Sequence, residues 1–411
     1  MTIVGRQHAV ELVRQVMTCP DGPGNPPVLV FEGDRGSGRT ALLTSLAELL
    51  DGRVPYAHID LGAGGPAGVP ELLSALAFRL GRPCPVYGTL HFPRLAVGQL
   101  VMNETGLDLT DRDNARAQIN ALLRAHRRVD QVVATLRESA GNLPAGLPAA
   151  ANLPTGLVAQ LLAAVIDRLA KWAWSSRFVL GKAQRWYGAN DRGRHAAVEA
   201  LLGLNLWHQN PDEANNARRR DELLWAAFRE DLRSSLGRRA RRPWMPRCVV
   251  LIDNADTRLG RYFLTEIVKL PDTPSTGPEP LAVVATAREP FLDQLPPADQ
   301  RVVAPGEQLA ATRPAGGQQS PGWLRYPLAD LTEEQVARKL KVDHPGLDHR
   351  IPLLVQQIAQ GGPLATGLLL DAAGRTPAWP AGGGELGLIL DQPERRPSGT
   401  DEMPCTVGER I

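Results

Sequence analysis

The residues Gly33-Asp34-Arg35-Gly36-Ser37-Gly38-Arg39-Thr40 carry the strongest chemical signal in this chain. They fit the spacing G-x-x-x-x-G-K-[ST] except at the lysine, which is Arg39. The chemistry is polyphosphate binding. Glycines let the backbone curl so that successive N–H groups face phosphate oxygens, and a helix beginning at Thr40 adds positive potential. The Thr40 hydroxyl is expected to ligate Mg²⁺. Arg39 keeps the positive charge but presents a larger planar fork than an ammonium. Two readings of it stand side by side: drift from lysine in a chain with 41 Arg and 5 Lys, or a site altered for hydrolysis.

Two further segments could act on the same phosphates. Val249-Val250-Leu251-Ile252-Asp253 reads as a buried strand that delivers a carboxylate to its C-terminal edge, where ligands bind in open α/β sheets. Asp253 is expected to hold Mg²⁺ through water. The following residue, Asn254, can orient a water but cannot take its proton, and Asp256 is the next carboxylate. Val283-Val284-Ala285-Thr286-Ala287-Arg288 reads as a strand that brings a hydroxyl and a guanidinium towards the terminal phosphate.

The elements that position these residues follow from periodicity. A helix over 7–18 precedes a Pro/Gly turn and the apolar strand Val28 to Phe31. After the glycine loop come a helix from Thr40 to Leu50, a strand from Tyr56 to Asp60 and a helix near 69–80. This alternation predicts a three-layer α/β fold with a parallel sheet. The stretch from there to Cys248 is far longer than one crossover. Helical patterns at Asn114–Leu136, Leu157–Trp174, His195–Trp207 and Asp221–Leu236 predict a mostly helical insertion. Pro296 to Gly322 reads as a mobile connection. Tyr326-Pro327-Leu328 is a candidate fifth strand, which its proline marks as an edge strand or a very short one. Thr332 begins a helix with capping-box spacing to Gln335, and further helices follow at about 351–360 and after Pro363.

Composition narrows the alternatives. A net charge of +2 points to neither nucleic acid nor membrane. The Arg excess reads as the bias of a G+C-rich bacterial genome. Cys19, Cys84, Cys248 and Cys405 form no metal or disulfide spacing, and the N-terminus has no signal-peptide pattern, so a cytoplasmic chain without a membrane span is expected. The cluster Arg238, Arg239, Arg241, Arg242 and Arg247 beside Trp244 reads as a solvated helix end, and Trp172, Trp174, Trp186, Trp207 and Trp225 as core of the insertion. Thr406 and Glu409 have capping-box spacing just before Ile411, which suggests that the native chain continues.

Taken together, the motifs resemble the AAA+/STAND branch of P-loop ATPases, the signal-transduction NTPases that include NACHT and NB-ARC modules. Gly33 to Thr40 resembles Walker A, and Asp253 with Asp256 resembles the NACHT form of Walker B. Val4-Gly5-Arg6 resembles the opening that lines the adenine side. Thr286 and Arg288 resemble the sensor, Leu328 to Glu334 the lead-in to a small helical lid, and Gly361-Gly362-Pro363 the G-x-P motif that packs near the base. The resemblance implies an ASCE-type P-loop core. Its parts are residues 1–83 and 246–330, a helical insertion at 84–245, a lid at 331–375 and a Pro/Gly-rich tail at 376–411. It implies ATP or ADP held by Val4, Gly5, Arg6, Gly33 to Thr40, Ala41 and Pro363, with Mg²⁺ on Thr40 and Asp253. Asp256, Asn254 and Arg288 stand nearest the chemistry. The implied function is a nucleotide-driven switch that controls assembly with a protein partner or with itself. The alternatives are a non-hydrolysing nucleotide-bound scaffold and, further off, a DNA-associated AAA+ protein. Arg39 and Asn254 depart from the family pattern where hydrolysis is concerned.

Overall fold

The computed structural model describes residues 4–18, 26–107, 111–126, 177–188, 196–213, 215–236, 247–268, 281–288, 291, 293, 300–304, 307, 322–345 and 351–375. Helix α1 (Gln7–Thr18) leads to strand β1 (Val28–Glu32), α2 (Arg39–Leu50), β2 (Tyr56–Asp60) and α3 (Val69–Leu80). Five helices follow: α4 (Pro93–Met102), α5 (Arg112–His126), α6 (Arg177–Trp186), α7 (Ala196–Gln209) and α8 (Asn216–Leu236). The chain then returns to β3 (Cys248–Asp253), α9 (Arg258–Val268), β4 (Leu281–Ala287), β5 (Gln300–Val302) and β6 (Trp323–Pro327). It closes with α10 (Glu333–Asp343), α11 (Ile351–Ala359) and α12 (Pro363–Arg375).

The strands form one sheet in the order β2-β3-β4-β1-β6-β5, and every pairing is parallel. Strands β1, β3 and β4 are buried along their whole length, which is why they read as unbroken apolar runs. Alternate side chains serve two layers. Leu29, Phe31, Val249, Leu251, Val284 and Tyr326 pack with α1 and α2. Val30, Ile59, Val250, Ile252 and Val283 pack with α3, α8 and α9. Within that second layer Trp225 stacks on Phe228 and meets Phe263 edge-on, so helix α8 shares the main core with the sheet. Trp225 is thus core, as its place in an amphipathic helix predicts. A satellite core joins α4, α5, α6 and α7, and a separate small core joins α10, α11 and α12.

The strand expected at Tyr326 runs from Trp323 to Pro327 and is not an edge. It lies between β1 and β5, and Pro327 is tolerated because it is the last paired residue, opposite Glu32. The edge on this side is β5, inside the segment expected only to connect. Three residues with one apolar member carry too little pattern to read from sequence. The helix expected over Leu157–Trp174, the arginines 238–242, Trp172, Trp174, Trp244 and the tail from 376 lie outside the described residues. No described helix is long and apolar enough to cross a membrane.

Candidate functional site

The glycine loop and the ends of β3 and β4 meet at the C-terminal edge of the sheet. Gly36 and Gly38 have φ of +87° and +83°, a left-handed geometry that side-chained residues adopt at a cost. The resulting curl ends at Gly38, where α2 starts without any side-chain cap. The first backbone donors of α2 therefore remain for an outside acceptor. A Cβ at Gly33 would lie 2.6 Å from Ser37 Oγ and 2.9 Å from Ser37 Cβ, so a side chain there would require Ser37 to shift.

Asp253, 1 % exposed, is the centre of the arrangement. Thr40 Oγ1 donates to its Oδ2 at 2.6 Å, and Thr286 Oγ1 and the Asn254 N–H, the latter at 3.0 Å, donate to its Oδ1. The carboxylate has no ion-pair partner among the described residues. Thr40 comes from the start of α2 and Thr286 from the buried end of β4, so one carboxylate ties three elements together. The chain order of these residues spans most of the molecule, and only the sheet register makes them neighbours.

Other expected site residues sort by position. Arg39 is half-buried, and its Nη1 is buried with no hydrogen-bond partner among the described residues. Ser37 Oγ and Asp256 Oδ1 are likewise buried and unpartnered. Asp34, Arg35 and Ala41 are exposed on the loop and first helical turn, and Arg288 is exposed just beyond β4. Asn254 reaches across to the end of β2. Its φ is +54°, and its side-chain amide donates to Asp60 Oδ1 at 2.7 Å.

Val4, Gly5, Arg6 and Pro363 close one side. Arg6, 6 % exposed, donates from Nη2 to the Ser37 carbonyl at 2.9 Å and from Nη1 to the Ala329 carbonyl at 2.7 Å. Burial pulls this guanidinium below its usual range, with Tyr326 and Asp330 offsetting part of the effect. Gly5 lies against Leu331 and Gln335. The Leu364 N–H donates to the Gly36 carbonyl at 3.0 Å, and Pro363 lies over Gly38. Gly361, at φ +82°, has room for no Cβ, because the Leu331 carbonyl would be 2.6 Å away.

Sequence reasoning missed Asp60 and Glu32. Asp60 ends β2 directly beside Asp253 in register. The signal was present: Ile59-Asp60 repeats the Ile252-Asp253 pattern of an apolar strand with a terminal carboxylate. Glu32, buried at the end of β1, pairs with Arg325 of β6. Nothing in the sequence links those two.

The donor set fits a magnesium nucleotide. No group of three or more His, Cys, Asp or Glu side chains gathers as a metal cage among the described residues. Mg²⁺, however, is commonly held by one or two carboxylates together with substrate phosphates. The Thr40 hydroxyl and the Asp253 carboxylate, in contact at 2.6 Å, are such a set. Comparison with protein-family models returns no match, and neither does comparison with curated proteins.

Proposed function

We propose that this chain is an ATP-binding molecular switch of the AAA+/STAND kind, with a P-loop core, and that nucleotide uptake repositions its helical lid to control assembly with a protein partner. The observation that carries the reading is the buried Asp253 carboxylate, joined to Thr40 and Thr286 and lacking a cation among the described residues. A buried carboxylate is costly unless its charge is compensated. Three hydrogen bonds compensate it in part, and a metal ion beside it would complete the compensation.

Each residue then has a role. Thr40 and Asp253, already in contact, would hold the Mg²⁺ with a hydroxyl oxygen and a carboxylate. The loop from Gly33 to Gly38 presents backbone N–H groups to the β-phosphate, and Arg39 neutralises phosphate charge. When bound, Mg·ATP supplies the positive charge that Asp253 lacks and the anion that α2 and Arg39 lack. Val4 to Arg6 and Pro363 flank the adenine side.

The lid supplies the moving part. Among the described residues its contact with the loop includes one backbone hydrogen bond from Leu364 and the packing of Pro363 and Leu364 on Gly36 and Gly38. Its own core is separate from those of the sheet. A ligand shifts such an element only by binding its two positions unequally. Arg6 joins loop and lid lead-in, so it reports loop geometry to the lid. The test is hydrogen exchange with mass spectrometry, with and without Mg·ATP. The reading expects altered protection over residues 331–375 as well as over the glycine loop. Unchanged exchange throughout, together with no calorimetric uptake at millimolar nucleotide, would contradict it.

A further inference from the structure

The position after Asp253, where a carboxylate base is expected, holds Asn254, and the structure shows what that amide does. Its Nδ2 donates to Asp60 Oδ1 at 2.7 Å, and the same oxygen accepts the Gly62 N–H at 2.8 Å. Asn254 adopts φ +54° at the end of its strand, a conformation that Asn tolerates better than most residues. The Cβ of any residue at 62 would lie 3.0 Å from the Asn254 amide, so the turn after β2 is shaped around this contact. Asp60 and Asp253 are register partners on adjacent parallel strands, about 4.8 Å apart along the hydrogen-bonding direction. They lie on the same face of the sheet, towards α2 and Thr40. Asp60 is exposed, and none of the hydrogen bonds to it from described residues reaches Oδ2.

We infer that Asp60 is the general base for nucleotide hydrolysis, and that Asn254 is the positioning residue that anchors one of its oxygens and leaves the other for water. The inference rests on the nucleotide-binding reading above. A water hydrogen-bonded to Asp60 Oδ2 gives that oxygen its proton as the water oxygen bonds the terminal phosphorus. The bridging P–O bond breaks, and its electron pair stays on the diphosphate. Asp60 afterwards releases the proton to solvent, so the net reaction is ATP and water to ADP, phosphate and a proton. Asp256 is the rival carboxylate, but its Oδ1 is buried, whereas Asp60 is open to water.

The experiment pairs calorimetric Mg·ATP binding with single-turnover hydrolysis for the full chain, Asp60→Asn and Asp256→Asn. General-base loss lowers rates by about 100-fold or more. The expected result is that fall in Asp60→Asn with nucleotide affinity unchanged, which also shows the variant folded, and a smaller effect in Asp256→Asn. Equal rates in wild type and Asp60→Asn overturn the inference, and so does loss confined to Asp256→Asn. A wild type that binds nucleotide without hydrolysing it overturns the inference too, while leaving nucleotide binding intact. A wild type that binds none removes both.

Discussion

Asp231 and Asp253 are equally withdrawn from solvent, yet they are held in opposite ways. Asp231, in the helical layer, accepts from the Leu95 N–H at 2.9 Å and pairs with Arg94 at 2.9 Å, so the protein supplies its cation. It caps the start of α4 and needs nothing from outside. Asp253 accepts two hydroxyls and one backbone N–H and has no described cation. A paired buried carboxylate is architecture, whereas one held only by neutral donors at an open sheet edge is suited to an external cation. Two helix starts show the same division. Helix α10 has a complete capping box between Thr332 and Gln335, while α2 starts at Gly38 with no side-chain cap.

Stability separates the two carboxylates most strongly. Removing Asp231 leaves Arg94 without its buried partner and α4 without its cap, so Asp231→Ala is expected to cost about 3 kcal/mol. Asp253→Asn keeps the shape, and hydroxyl rotation lets its amide find acceptors. Its expected cost is within about 1 kcal/mol. Urea unfolding of both variants at pH 8 without nucleotide makes the measurement, and equal losses would erase the distinction.

Asp231 also brings a pH dependence of its own. Burial pushes its carboxyl from an ordinary 3.8 to about 7, against the pull of Leu95 and Arg94. The folded chain thus binds this proton more tightly than the unfolded chain. The group's contribution favours folding at low pH and is lost as pH rises from about 4 to about 7. Asp231→Asn is expected to remove that fall, seen as a flatter stability-against-pH curve than that of wild type.

Nucleotide affinity gives the next test. Arg39→Ala removes the charged donor with the unpartnered buried nitrogen and is expected to weaken ATP binding about 10- to 100-fold. Arg39→Lys is expected to retain most of the affinity, since the charge stays. Unaltered binding in the alanine variant would place Arg39 outside the cradle. The smallest effect concerns the capped helix. Thr332→Ala is expected to cost about 1 kcal/mol of lid stability, read from amide exchange over Glu333–Asp343 without nucleotide.

Local signals were legible where neighbouring residues decide the structure. The bend of the loop needs glycine at 36 and 38, the capping box needs Thr332 and Gln335 three apart, and buried parallel strands need the apolar runs that end in Asp253 and Thr286. Register-dependent features were hidden. Asn254 meets Asp60, and Arg94 meets Asp231, across separations that no periodicity spans. Helix α8 was read as part of a separate insertion, because its apolar face says that it is buried but not against what. In the structure that face meets the same core as α3 and α9. The sixth strand escaped the edge placement that proline suggests, because Pro327 comes where pairing ends.

The most direct test of the account is the magnesium linkage of nucleotide binding, measured calorimetrically for wild type and Asp253→Asn, each with Mg²⁺ and with a chelator. Mg²⁺ is expected to strengthen binding in wild type, and this gain to fall by about 100-fold or disappear in Asp253→Asn while metal-free binding is kept. The same gain from Mg²⁺ in both proteins would show that Asp253 holds no metal and would contradict the account.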